Sequence, residues 1–174
     1  WPAGTTLGDL VATVAEEHGL APAVSPDLAS IELPHIDQID ESDANLVTRV
    51  ALNYDALAKP VAGRLAVVRR ALGISAGGLG LVPGIVTPNQ VTSWRLGIAQ
   101  RAAVGTVIAI WRDRAAATDV EVSVGEGEPV RRLRDRFPTE AAAEQAAKAV
   151  MARGQRGARR LEVSMPGRPS LGAE

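Results

Sequence analysis

The stretch HIDQIDESDANLVTRVALNYDALAKPVAGRLAVV, residues 35–68, decides the fold. It opens on an acidic run, Asp37, Asp40, Glu41 and Asp43. Ser42 or Asp43 is a natural N-cap, and negative charge at a helix start is favoured by the helix dipole. From about Asp43 to Tyr54 the residues Leu46, Val47, Val50, Ala51 and Tyr54 fall on one side at helical spacing. Asn53-Tyr54-Asp55 ends the helix. Two short apolar runs then turn at Lys59-Pro60-Val61-Ala62-Gly63, so Leu57–Val68 reads as a β-hairpin, with Leu65, Val67 and Val68 as its better strand. Cap, helix and hairpin together make a small α/β unit.

Toward the N-terminus, Thr5 or Thr6 caps a helix over Leu7–His18, with Asp9 placed as in a capping box. Leu7, Leu10, Val11 and Val14 form its apolar stripe, Gly19 follows as the left-handed residue after the helix, and Pro22 blocks continuation. Residues 20–36 carry Pro22, Pro26 and Pro34 and one short strand expectation at Ser30–Leu33. Toward the C-terminus the composition shifts at Gly73–Pro88, which holds Gly73, Gly77, Gly78, Gly80, Pro83, Gly84 and Pro88 and reads as a linker. Residues 1–88 hold 5 basic and 10 acidic side chains, net −5; residues 89–174 hold 14 and 10, net +4; together they give the −1 of the whole chain. Two units of opposite charge bias follow.

The second unit is mostly strands. Val91–Ala99 places Trp94, Leu96 and Ile98 on one face at period 2, and a turn at Gln100–Gly105 leads to Thr106–Arg112, so these two runs are expected to pair as an antiparallel hairpin. The second run is apolar on both faces, Val107, Ala109 and Trp111 against Ile108 and Ile110, which places it centrally or at an interface. Further strands are expected at Val120–Val124 and Val130–Phe137. Pro138-Thr139 starts an Ala-rich helix from about Glu140 to Arg153, and Ala158–Met165 is the last strand. The fold class is α+β: a helix–hairpin α/β unit over residues 1–72, the linker 73–88, and an antiparallel β-barrel-like domain with one inserted helix over 89–174.

At 174 residues and 46% hydrophobic content the chain buries a proper core. No apolar run reaches the ~18 residues of a membrane span, and no signal-peptide pattern opens the chain. The absence of cysteine excludes disulfides, thiol catalysis and thiolate metal sites. Aromatic content of 3% leaves too few rings for a base-stacking platform. The chain begins at Trp1-Pro2 and ends in polar Gly/Pro-containing sequence, as a piece of a longer protein would.

No motif carries chemistry. Gly73-Ile-Ser75-Ala-Gly77 matches G-x-S-x-G, but a nucleophile elbow needs a strand before it, a helix after it and a downstream histidine. Both histidines, His18 and His35, lie upstream. His35 with Asp37, Asp40, Glu41 and Asp43 lacks the glycine of an EF-hand loop and reads as a solvated acidic loop. Gly125-Glu-Gly127 is a turn, with Pro129 where a phosphate-binding helix would begin. The basic set Arg131, Arg132, Arg134, Arg136, Arg153, Arg156, Arg159 and Arg160 is interrupted by Asp135, Glu140 and Glu144, and reads as a solvated or inter-subunit face rather than a nucleic-acid site. No catalytic, cofactor or metal residue is assigned. Trp94 and Trp111 are core or interface anchors, and the interface candidates are Trp94, Leu96, Ile98, Ile108, Ile110 and Trp111.

Several of these segments resemble the phage late control gene D family, the baseplate hub proteins of contractile tails, which are related to the spike base of type VI secretion valine-glycine-repeat proteins. The resemblance rests on His35-Ile-Asp-Gln38, Glu41–Arg49, Asn53–Pro60 and Gly63–Val68, on Thr6–Ala15 before them, and on Val91–Trp94, Trp111-Arg-Asp113, Val124–Pro129 and Leu161–Gly167 after them. It implies the middle of a longer hub protein without enzymatic activity or cofactor. It also implies a homotrimer whose barrels close a ring between tail tube and spike, in the baseplate of a phage or prophage virion. A secretion spike base is the alternative within that architecture. A glycan-binding module, or an esterase acting through Ser75, are the alternatives of another class. The first expects an aromatic-lined groove and the second a hydrolysis that Ser75→Ala removes.

Overall fold

The computed structural model describes residues 1–73, 75–76, 79–82, 84–99 and 104–167. The chain divides into two compact units, Trp1–Val82 and Pro83–Glu174.

In the first unit, helix α1 (Leu7–Glu17) starts on Thr6, whose hydroxyl oxygen accepts from the Asp9 amide at 3.1 Å while the hydroxyl donates to the Asp9 carboxylate at 2.7 Å. One orphan amide of the helix start is thereby satisfied, and the hydroxyl proton is used as well. Strand β1 (Ala21–Val24) and a one-turn helix α2 (Pro26–Ala29) follow, then α3 (Asp43–Asn53), capped by Ser42. The hairpin is β2 (Ala56–Val61) and β3 (Arg64–Arg69). Ala62 and Gly63 between them both have positive φ, 47° and 73°, the geometry of a two-residue turn that matches strand twist. The sheet order is β1-β3-β2, with β3 parallel to β1 and antiparallel to β2. Leu7, Leu10, Val11, Leu28, Leu46, Val47, Val50 and Val67 fill the core at 2% exposure or less. Arg69 fastens the far end, pairing with Asp27 at 2.5 Å and donating to the Tyr54 carbonyl at 3.0 Å.

Two expectations change here. Ser30–Leu33 is not a strand; it makes one isolated bridge, Thr6 to Glu32, flanked by hydrogen bonds from the Leu7 amide to the Ile31 carbonyl and from the Leu33 amide to the Thr5 carbonyl. The strand is Ala21–Val24, which contains Pro22. A proline without an N–H fits an edge strand, and β1 is the sheet's edge.

In the second unit, β4 (Ser93–Ile98) is followed by β5 (Thr106–Asp113), β6 (Thr118–Gly125), β7 (Val130–Phe137), helix α4 (Glu140–Gly157) and β8 (Arg159–Ser164). The expected hairpin of β4 with β5 does not form. β4 pairs instead with β8, and β5 is the centre of a separate sheet ordered β6-β5-β7, antiparallel to β6 and parallel to β7. The residues between β4 and β5 that carried the expected turn, 100–103, lie outside the described residues. Helices and strands together make the architecture α+β, and no closed barrel forms among the described residues. Helix α4 outruns the expected end at Arg153 by one turn, through Gly154.

One face of β6-β5-β7 receives α4. Val107 and Ala109 of β5 meet Ala143, Ala147 and Val150, all buried, with Trp111, Val122, Val124, Leu133 and Phe137 around them. The opposite face is a ladder of charge. Ile108 and Ile110 lie in register with Arg132 and Arg136 on β7 and with Ser123 and Glu121 on β6. Arg132 pairs with Glu121, and Arg136 with Asp119 at 2.9 Å, both reaching from β7 to β6 over the half-buried isoleucines. Arg112 completes the set on Asp119 at 3.1 Å. Between Ile108 and Ile110 the β5–β7 register slips, so that Ala109 alone faces Leu133, Arg134 and Asp135. The bulge leaves Arg132 and Arg136 on one face, aimed at the same partner strand.

Close backbone approach at the end of this sheet requires glycine. A Cβ on Gly125, whose φ is +87°, would overlap the Met151 side chain and the Gly105 carbonyl oxygen. Gly125→Ala is therefore expected to cost about 2–4 kcal/mol through strain and overlap. Gly157→Ala, at a helical position with open space around it, is expected to be neutral or to stabilise by up to about 1 kcal/mol. Thermal unfolding followed by calorimetry separates the two; equal melting temperatures for both variants would contradict this packing.

The ladder gives a pH prediction. Arg136, and after it Arg112, hydrogen-bond the Asp119 carboxylate and hold it below the usual carboxylate range. A depressed folded-state pKa stabilises above the unfolded value, and the benefit is lost as pH falls through the folded value. Asp119→Asn should melt below the wild type at neutral pH, and the gap should close as pH drops through and beneath the carboxylate range. A gap that persists unchanged to the lowest pH tested would show that Asp119 acts otherwise.

Candidate functional site

The six interface candidates fall on three different surfaces of the second unit. Trp94, Leu96 and Ile98 stand on β4 and are 63%, 52% and 67% exposed. Ile108 and Ile110 lie under the arginine–carboxylate ladder. Trp111 faces α4 and packs on the unit's own core. Its indole N–H is buried and meets no acceptor among the described residues.

The structure adds two residues to the first surface. In the β4–β8 ribbon, Trp94 is opposite Val163 and Leu96 opposite Leu161, so four large apolar side chains form one continuous patch that Ile98 extends. Leu161 and Val163 are 63% and 40% exposed. The other face of the ribbon carries Ser93, Arg95, Glu162, Arg160 and Ser164, with Arg160 and Glu162 paired at 3.0 Å. The ribbon is amphipathic, and among the described residues its apolar face stays exposed. Both strands alternate cleanly, so the sequence carried the signal at Leu161 and Val163. Only the β4–β8 pairing shows that they share a face with Trp94.

The acidic opening of α3 is local scaffolding. Glu41 accepts from Arg49 and from Asn45 at 3.0 Å, which, led by Arg49, keeps its carboxyl below the usual range. Asp43 accepts from Gln38 at 2.7 Å and pairs with His18 at 2.8 Å, and these contacts hold its carboxyl low as well. His35 pairs with Asp37 at 2.9 Å, both well exposed. Among the described residues no group of three or more His, Asp and Glu side chains is placed to hold a metal ion. Above Asp43 runs a groove of about 580 Å³, floored by Val14, Leu20, Pro60 and Leu65, with His18, Glu41 and Asp43 on its rim.

Elsewhere, Arg131 and Arg153 line a depression of about 460 Å³ with Val104, Pro129 and Gly157. In the G-x-S-x-G match, Ile74 and Gly77 lie outside the described residues. The Ser75 hydroxyl accepts from the Leu79 amide at 3.1 Å in a local turn, while both histidines hydrogen-bond aspartates of the first unit. No described helix is long and apolar enough to cross a membrane.

No protein-family model matches the chain. Over 107 residues, 62% of its length, it is 35% identical to a probable baseplate hub protein of Escherichia phage P2, and over the same extent 36% identical to the protein of that name from Escherichia phage 186. The chain spans 28% of the length of each of these relatives. Among solved structures, a 43 kDa tail protein of prophage MuSo2 from Shewanella oneidensis superposes on 94% of the chain with a TM-score of 0.59 at 19% identity. A tail protein from Neisseria meningitidis MC58 does so over 94% with a TM-score of 0.67 at 12% identity. The chain covers 49% and 52% of these two. By sequence, then, this chain is similar over 107 residues to phage baseplate hub proteins, and its fold matches that of two phage tail proteins.

Proposed function

We propose that this chain is a non-catalytic segment of a tail baseplate hub, set in the virion where the tail tube meets the spike, and that the full-length protein is a homotrimer. What carries the reading is the 107-residue similarity to two phage proteins of that name. The β4–β8 ribbon supports it. A two-stranded ribbon is marginal by itself in water, and this one leaves Trp94, Leu96, Ile98, Leu161 and Val163 exposed. Covering five half-exposed side chains of this size yields roughly 5 kcal/mol. Association itself costs about 4–15 kcal/mol, so the ribbon contributes to an interface and does not make one alone. It suits an assembly in which several such contacts close together. The tail tube and the spike are the other partners of this reading.

Two measurements test it. Antibodies against this chain, applied to purified particles, should label the spike-bearing end of the tail; label confined to the soluble fraction sinks the hub assignment. The full-length parent protein should run as a trimer in light scattering. Leu96→Asp with Leu161→Asp changes only exposed positions, so it should shift that trimer toward smaller species while circular dichroism stays the same. A trimer untouched by the pair removes the ribbon from the interface, and a monomeric wild type removes the trimer.

A further inference from the structure

The groove of the first unit has no part in the ribbon interface. Its floor is apolar, made by Val14 of α1, Leu20, Pro60 of β2 and Leu65 of β3, and its rim is acidic. Glu41 is already paired with Arg49, so Asp43, with Gln38 and His18 as its partners, is the rim carboxylate open to a further cation, and the Ser42 cap fixes the first turn of α3 beneath it. An ionised carboxylate has about four lone-pair sites. Gln38 and His18 take one each on Asp43, which leaves acceptor capacity facing solvent. The charge of the whole unit points the same way. Trp1–Val82 holds 5 basic and 10 acidic side chains, net −5. Few aromatic or polar groups line the floor, so hydrogen-bonded recognition of a sugar or nucleotide has little to work with. An aliphatic side chain beside a cation matches both the floor and the rim.

We propose that this groove docks a basic, amphipathic peptide segment of another protein. One large aliphatic side chain sits on Val14, Leu20 and Leu65, and a neighbouring arginine or lysine reaches Asp43. The arrangement follows the rule that an apolar anchor supplies affinity while charge on the rim supplies orientation and association rate. It goes beyond the hub reading, which names no partner for the first unit.

The test uses the whole 174-residue chain and a fluorescein-labelled peptide of repeated Leu-Arg, with Leu-Glu and Gly-Arg repeats as controls, read by anisotropy. The Leu-Arg peptide should bind at least about tenfold more tightly than either control. Ala44→Trp places a ring in the groove from an exposed position on α3 and should weaken binding about tenfold. Pro60→Arg, also exposed and lining the groove, should do the same through charge and covers the case in which the tryptophan variant folds poorly. Equal binding of Leu-Arg and Gly-Arg would mean charge attraction without the groove and overturns the proposal. So does binding that neither substitution alters, or no binding at all. Self-association of the chain that Ala44→Trp abolishes, with no peptide bound, assigns the groove to a second copy and overturns it too. None of these outcomes depends on whether the full-length protein forms a hub.

Discussion

How closely α4 approaches β5 sets the second unit. Ala143 and Ala147 on the helix face Val107 and Ala109 on the strand, and all four are fully buried. Alanines let a helix lie near a sheet, and they favour the helix by propensity. They supply little apolar volume. The helix therefore seals one face of β6-β5-β7, and its buried residues pack there rather than on the apolar face of the β4–β8 ribbon. The glycines at 105 and 125 belong to the same constraint, because backbone at the sheet's end comes too close for a Cβ. A bulkier helix would fill more core and lift away from the sheet.

The first unit solves the same problem differently. Its two long helices present Leu7, Leu10, Leu46 and Val47 to a sheet whose central strand buries Leu65, Ala66, Val67 and Val68 in a row. Large side chains fill the layer between helices and sheet, and caps at both helix starts satisfy the exposed amides. Each of its two histidines sits on an aspartate at the surface. This unit is finished as a fold, and its open feature is a groove rather than an unsealed face. Among its described residues the second unit leaves the apolar face of the β4–β8 ribbon exposed. In the reading proposed above the two units divide the labour: the groove of the first would receive a side chain, and the ribbon of the second would be completed by a neighbour.

Much of this was legible in the residues. The caps at Thr6 and Ser42, the helices after them, the hairpin around Ala62-Gly63 and the strands from Thr106 to Phe137 all follow from local patterns, and local patterns fix them. Pairing does not. Nothing in Val91–Ala99 says that its partner lies some sixty residues on rather than next door, because strand partners are chosen by long-range packing. The expected hairpin failed for that reason. β1 was missed because Pro22 argues against a strand unless its N–H side faces outward at an edge. The apolar alternation at Trp94, Leu96 and Ile98 was plain in sequence. That it joins Leu161 and Val163 in one patch needed the β4–β8 register.

The charge ladder bears on why the ribbon, rather than the outer face of the three-stranded sheet, is the surface proposed to meet a neighbour. Ile108 and Ile110 are apolar and central, which from sequence makes them look like an interface. In the fold they lie beneath Arg132–Glu121 and Arg136–Asp119, side chains that remain substantially solvated. Pressing a partner onto that face would strip water from two arginines and two carboxylates. The desolvation of paired ions commonly offsets their attraction, so the two isoleucines offer too little in exchange. The ribbon's apolar face has no such obstacle. Arg159 at its end, opposite Ile98, can keep its head in water while its stem joins the patch. In the proposed assembly the ladder would make the outer sheet face the costly one to cover, a role that weak surface ion pairs can fulfil even when they add little to stability.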